Sequence, residues 1–445
     1  FAGGAITRIV NGVPDEFKCD GAIFNMYGHW YGLENDVDFN NDSILHLDQM
    51  DQIGFCETTP DLFSFNFLGH CGRFMIDHEG NAQVTGEGNY KVNLDGFSIQ
   101  QVGGCTEEST IVLTDGYGTR YTFGGTRDAL ELSLLPIINN TTGGNMPTTI
   151  KNGVITSFYL TKVETLSGEV VCFNYLSDGF NAFSGYSDHP SVQKNCYYAD
   201  ACGSFYGETN TENATIGIAL ETTDALTKTV YLESIVAPSG TIRFNYKERE
   251  QAFMQGPGGW NDSIPLRLND IEVLTPSDEH VKGIRLFQSF VEAKENSFGK
   301  NQKSQRMFLD SLYIGREKYT LDYSDRAQLP RPETRGIDLR GFYNGNDNNG
   351  SLLPLNYNGL DNVNFSHRQP SYTHASKAML KKITYPTGGS TEFTYENHTY
   401  GLAIRKHYGS WHPLNYFQNG TVGGLRIQKI EHSNGEVKEY EYKTV

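Results

Sequence analysis

Asp36, Asp38, Asn40 and Asp42 recur at every second position and could direct several oxygens at one Ca²⁺, a hard cation that accepts carboxylates and amides. The run is not an EF-hand: Asn41 stands where that loop needs glycine, and the closing position falls on Leu47, with Asp48 one residue late. A solvated acidic loop is the alternative reading. Calcium is thus the one cofactor the residues suggest. The twelve histidines show no HExxH and no compact spacing with cysteine. His407 and His412, near Trp411, form the one local pair worth a metal reading, against a turn packed by an aromatic. His70 precedes Cys71, but neighbours in a strand face opposite ways, which counts against a thiol–base pair.

Other reactive groups are equally sparse in pattern. Seven cysteines, at 19, 56, 71, 105, 172, 196 and 202, form no CxxC, and their odd number leaves at least one unpaired. Cys196 and Cys202 could close a small disulfide loop, or stay reduced. No G-x-S-x-G elbow and no Walker A loop occurs, and Gly256-Pro257-Gly258-Gly259 lacks the lysine and Ser/Thr of a phosphate cradle. Trp30, Trp260, Trp411 and the many tyrosines could form a saccharide platform or pack a core. No residue is assigned a catalytic role.

The elements that would position such groups read as strands. The chain has 445 residues, 12% of them aromatic, with 48 Gly and only 20% charged, a globular and β-rich balance. Against 36 Lys+Arg stand 53 Asp+Glu, a net charge of −17 that disfavours nucleic acid as a partner. No run of about 18 apolar residues is present to span a bilayer as a helix. The chain starts at Phe1 without Met or signal peptide and stops at Val445 inside an apparent strand, which reads as a segment of a longer protein.

An internal repeat is the most informative feature. An aliphatic residue is followed at offset five by glycine and at offsets ten and twelve by aromatics: Ile111, Gly116, Tyr121, Phe123; Val163, Gly168, Phe173, Tyr175; Ile383, Gly388, Phe393, Tyr395; Ile430, Gly435, Tyr440, Tyr442. A fifth copy, Ile235, Gly240, Phe244, Tyr246, loses one residue after the glycine. The pattern predicts a β-hairpin whose glycine takes a positive-φ turn position and whose two aromatics share one sheet face. A one-residue slip would bury Glu392 and Thr394 instead of Phe393 and Tyr395. A lone hairpin cannot hide its apolar face, so the copies must stack.

Elsewhere, Leu62–Phe67 alternates Phe63, Phe65 and Phe67, a meander signature. Residues 126–152 predict a short helix over the apolar patch Leu130–Ile138 and then an exposed loop. Residues 327–373 are polar and turn-rich, and such length predicts a segment that covers a surface or fills a cavity.

With these repeats, the sequence resembles the RHS/YD-repeat proteins, particularly the long Bacteroidetes forms. The likeness is carried by AGGAITRIVNGVPDE at Ala2–Glu16, DLFSFNFLGHCGRFMID at Asp61–Asp77, GFYNGNDNNGSLLP at Gly341–Pro354, MLKKITYPTGGSTEFTYENHTY at Met379–Tyr400 and GGLRIQKIEHSNGEVKEYEY at Gly423–Tyr442. The resemblance implies a secreted or surface-delivered protein, a polymorphic-toxin type, whose hairpins wind into a hollow shell around a variable C-terminal effector. The chain departs from the commonest YD pattern, Tyr323 standing in Tyr-Ser-Asp, and is similar to the region that precedes the regular array.

The expected fold is therefore all-β: curved antiparallel β-hairpin repeats forming part of an RHS/YD-like shell, with long irregular loops. Residues 1–126 are expected to form an N-terminal β-meander region, and 127–445 an RHS-like hairpin region packed continuously with it. The expected role is a noncatalytic structural segment, extracellular or at the bacterial cell surface, that walls in or presents another part of its chain. Its partners would be the rest of its own polypeptide or an enclosed effector, with secretion machinery or surface glycans as further candidates. A glycan- or protein-binding adhesin and a carbohydrate-active hydrolase are the alternatives.

Overall fold

The computed structural model describes residues 4–10, 18–20, 25–27, 55–56, 60–77, 80–86, 88–98, 108–134, 153–182, 188–192, 218–222, 226–249, 264–294, 305–331, 334–349, 352, 365–406 and 414–443. The chain divides into two compact units. One comprises Phe1–Ser184, Ala225–Phe287 and Leu312–Glu317; the other comprises Gly185–Asp224, Gln288–Ser311 and Lys318–Val445. Antiparallel hairpins dominate both, so the fold class is all-β. Among the described residues one pair of strands is parallel, Asn25–Tyr27 with Phe55–Cys56. Helical structure there is confined to single turns such as Arg127–Ala129 and Tyr372–Ala375.

In the first unit, the strand Ala5–Ile9 lies between Leu62–Phe67 and Gly153–Glu164. Alternation places Phe63, Phe65 and Phe67 inward, each at most 2% exposed, beside Phe74, Phe123 and Phe158. Each such side chain contributes roughly 1.5–3 kcal/mol of burial free energy. Phe63 stacks on Phe74 with ring centroids 4.9 Å apart. Against this apolar layer lies a charged pair: Arg8 Nε donates to Asp61 Oδ2 at 2.8 Å, and both side chains are essentially inaccessible. The Arg8 guanidinium also sits 5.7 Å from the Phe63 ring centre.

The helix expected over Leu130–Ile138 is absent from its described part. Leu130–Leu134 is a strand that follows the turn Arg127–Ala129 and pairs with Gly153–Glu164. The spacing of two between buried Leu130 and Leu132 fits a strand, not the 3.6-residue helical period.

In the second unit, Leu380–Thr384 pairs with Ser390–Lys406, which pairs with Leu414–His432, which pairs with Val437–Glu439. The described part of the long polar segment lies over this sheet. A Cβ on Gly423 would run into the Asp338 carboxylate, so the glycine lets that side chain come close to the strand. Arg368 holds the segment to itself by donating to the carbonyls of Ile337 (3.2 Å), Leu352 (2.8 Å) and Asp338 (2.6 Å).

Candidate functional site

Each repeat builds one hairpin, and its glycine sits in the turn. Around Gly168, Gly388 and Gly435 the turns are alike, with φ of 88°, 84° and 90° and an N–H bonded to the carbonyl three residues back. The copy that lacks a residue closes with a tighter turn, Ala237 opposing Gly240 directly. The first copy differs. Its turn runs from Asp115 to Thr119 with Gly118, not Gly116, at positive φ. Consequently Ile111 opposes Phe123, whereas Val163 opposes Val171. Gly116 shares the spacing of the other copies without their turn geometry.

From each turn, the ladder of a hairpin runs only a few pairs, stopping at Lys162, Ser234, Lys382 and Lys429 in four copies. There the two strands part, and a tyrosine takes over. Tyr175 donates its hydroxyl to the carbonyl of Leu160 (2.6 Å), Tyr246 to Leu232 (2.8 Å), Tyr395 to Leu380 (2.7 Å) and Tyr442 to Ile427 (2.6 Å). Tyr323 does the same to Leu309 at 2.9 Å, revealing a copy that the glycine spacing does not show. Every acceptor is aliphatic and lies three residues before the leading aliphatic, in a shared Φ-x-x-Φ run: Leu160/Val163, Leu232/Ile235, Leu309/Leu312, Leu380/Ile383 and Ile427/Ile430.

The parting has a cause. Where the closing strand of one hairpin meets the opening strand of the next, one extra residue is inserted opposite the aromatic. Thr122 opposes Lys162 but Phe123 opposes Leu160, which leaves Thr161 as the bulge. The same shift leaves out Glu233 opposite Tyr175, Asn269 opposite Tyr246, Lys381 opposite Tyr323 and Gln428 opposite Tyr395. A bulge bends its strand and interrupts the ladder; in four copies the tyrosine hydroxyl bonds the carbonyl immediately before a bulged residue, that of Leu160, Leu232, Leu380 or Ile427. Phe123 has no hydroxyl, and at that junction the bulged Thr161 instead donates its own Oγ1 to the carbonyls of Thr122 (3.1 Å) and Gly124 (3.0 Å).

Burial grades along these residues. Ile111, Tyr121, Phe123 and Phe173 are buried; Val163, Tyr175 and Ile235 pack against the same core. Ile383, Phe393, Tyr395 and Ile430 are half-buried, while Tyr440 and Tyr442 are each 42% exposed. The expected shared apolar face is therefore open at Tyr440 and Tyr442, because Val437–Glu439 pairs on one side alone among the described residues. Burial pushes up the phenol pKa values of Tyr175, Tyr323 and Tyr395; burial, with help from Tyr231, pushes that of Tyr246 up to about 12. Phe244 and Tyr246 also line an open cleft of about 560 Å³ with Glu233, Arg243, Asn245 and Lys247.

A second cluster gathers titratable groups. His70, at the start of the strand His70–Ile76, meets the Tyr90 hydroxyl through Nδ1 (2.8 Å) and the Tyr121 hydroxyl through Nε2 (3.1 Å). Tyr121 donates to Asp115 Oδ2 at 3.0 Å. Burial, and then the Asp115 carboxylate, raise the Tyr121 phenol to about 12. The Asp115 carboxyl is lowered by the N–H groups of Thr119 and Tyr117 and by the Tyr121 hydroxyl, which together outweigh its desolvation. Cys71, next to His70, is free and exposed; Cys172 is free and half-buried. The candidates Asp36, Asp38, Asn40 and Asp42, the pair His407 and His412, Trp30, Trp260, Trp411 and the cysteines 196 and 202 lie outside the described residues.

No helix among the described residues is long and apolar enough to cross a membrane. No family model matches the chain, and no curated protein does. Among solved structures, a chain of the crystal structure of TcdB2-TccC3-Cdc42 matches 82% of this chain at 8% sequence identity, with a TM-score of 0.17. The likeness is weak, and this chain spans 13% of that one's length.

Proposed function

We propose that this chain is a noncatalytic wall segment of a larger extracellular or cell-surface protein of the RHS type, whose hairpins enclose or present another part of the same polypeptide, such as a C-terminal effector. The carrying observation is the recurrence of one device, a bulge opposite an aromatic and a tyrosine hydroxyl on a Φ-x-x-Φ carbonyl, in hairpin after hairpin. A bulge increases local twist, and repeating it at a fixed place in each hairpin is how a sheet acquires steady curvature. The hydroxyl keeps that bend from leaving an unsatisfied carbonyl. Limited proteolysis of the parent polypeptide, read by mass spectrometry, tests this. Enclosure requires a protected segment outside residues 1–445 that becomes cleavable when Tyr175, Tyr246 and Tyr395 are all changed to Phe. Equal cleavage of every outside segment, with and without those changes, would refute it.

A binding role is the second reading, favoured by the cleft that sets Arg243, Lys247 and Glu233 beside the Phe244 and Tyr246 rings. It requires retention on a glycan panel that is lost in Arg243→Ala.

A further inference from the structure

We propose that His70, Tyr121 and Asp115 form a binding site for a hard transition-metal cation, with ferric iron the class that suits a phenolate, a carboxylate and an imidazole together. The Tyr121 oxygen is already spaced from each of the other two donor atoms as one ligand is from its neighbour. The Tyr121 hydroxyl oxygen lies 3.1 Å from His70 Nε2 and 3.0 Å from Asp115 Oδ2. Metal bonds of about 2.0–2.2 Å to nitrogen and oxygen, meeting at roughly right angles, put neighbouring ligand atoms about 3 Å apart. Protons now occupy the space that a cation would fill.

Each ligand is held by something other than the other two. Asp115 Oδ1 accepts the backbone N–H groups of Tyr117 (2.9 Å) and Thr119 (3.0 Å), which fixes the carboxylate and leaves Oδ2 turned to Tyr121. His70 is oriented through Nδ1 by the Tyr90 hydroxyl, the outer partner that a metal-ligating imidazole normally has. Its ring is wedged against Phe67 at 5.1 Å and Tyr121 at 5.2 Å between ring centres. The Tyr121 ring is anchored in the core at 6% exposure, while Asp115 and His70 are half-buried and leave further coordination positions open to solvent.

The protons balance. Because Tyr121 donates to Asp115, its oxygen is left to accept from His70 Nε2–H, and in that tautomer His70 Nδ1 accepts from Tyr90. On metal binding Tyr121 loses its phenol proton. The His70 Nε2 proton moves to Nδ1, where it is donated to the Tyr90 oxygen. One proton per cation is released.

The test titrates the 445-residue chain with ferric nitrilotriacetate and follows visible phenolate-to-iron charge-transfer absorption. The expected result is a band saturating at one equivalent, abolished by Tyr121→Phe and retained in Tyr175→Phe. Asp115→Asn keeps an oxygen for the turn N–H groups but removes the anionic ligand, so half-saturation should move at least tenfold. Far-UV circular dichroism identifies any variant that fails to fold; should Tyr121→Phe do so, His70→Gln takes its place and must weaken the band. No band, or a band of equal strength and midpoint in the folded variants, overturns the site.

Discussion

Changing Tyr395 to Phe removes one oxygen atom and leaves the ring, so it isolates the hydrogen bond that replaces the interrupted ladder. Its hydroxyl donates to the Leu380 carbonyl at 2.7 Å in a half-buried setting. A typical intramolecular hydrogen bond contributes about 0.5–1.5 kcal/mol net, and stranding a buried partner costs about 1–3 kcal/mol. The expected loss is therefore about 1–2 kcal/mol. Tyr442 provides the internal comparison within the same unit: its hydroxyl makes the equivalent bond to Ile427 at 2.6 Å, but the residue is 42% exposed. Water can take over the freed carbonyl there, and Tyr442→Phe should cost less than about 0.5 kcal/mol. Urea unfolding followed by tertiary circular dichroism measures both, and unchanged m-values would show that the effect is on native stability. Hydrogen exchange should place the Tyr395→Phe loss at Leu380–Thr384 and its partner strand. Equal losses for the two variants, or a loss below about 0.5 kcal/mol at Tyr395, would refute the view that the phenol stands in for a missing ladder bond.

Three further outcomes are expected. Raised phenol pKa values mean that the folded chain holds those protons more tightly than the unfolded one, so their stabilisation is complete below the ordinary tyrosine value of about 10 and lost as pH rises through the folded values. Since Tyr246 is pushed up to about 12, urea midpoints should fall between pH 10 and 12, and less steeply in Tyr246→Phe. Arg8→Ala should destabilise the first unit by about 3–5 kcal/mol, because it removes the cation that faces the inaccessible Asp61 carboxylate; Arg8→Met with Asp61→Leu should recover most of that in thermal melts. In the hairpin of Leu266–Leu274 with His280–Glu292, Asp278 occupies the turn position that Gly168 holds in its own, at φ 62°, and Asp278→Gly should raise stability by about 1 kcal/mol. Its exposed contact with Arg243, at 3.9 Å, is too weak to offset that gain.

How much of this was legible in the sequence depends on the range of the interaction. Alternation over Leu62–Phe67 is a local steric property of an extended chain, and Phe63, Phe65 and Phe67 lie inward as their spacing dictates. Gly168, Gly388 and Gly435 are equally local, since positive φ is a property of one residue's backbone. Gly116 shows the boundary of that logic. Its spacing matches, but with two glycines available the hairpin closes on Gly118, where Asp115 caps the turn. For Leu130–Leu134, strand pairing with Gly153–Glu164 overrides the helical reading of an apolar patch.

Residue types and short spacings determined, by themselves, the β character, the hairpin repeat and the polar, turn-rich nature of residues 327–373, because steric and solvation preferences act within a few residues. Only the tertiary structure decided where the bulges fall, which carbonyl each tyrosine serves and that His70, Tyr90, Asp115 and Tyr121 converge. An extra residue in a strand becomes a bulge only against a neighbour's register, and that neighbour lies tens of residues away; Glu233 carries no mark of its role until Tyr175 is set opposite Leu232. The Φ-x-x-Φ run was present all along, yet its first aliphatic acquires meaning only as the owner of the carbonyl that a distant tyrosine hydroxyl meets.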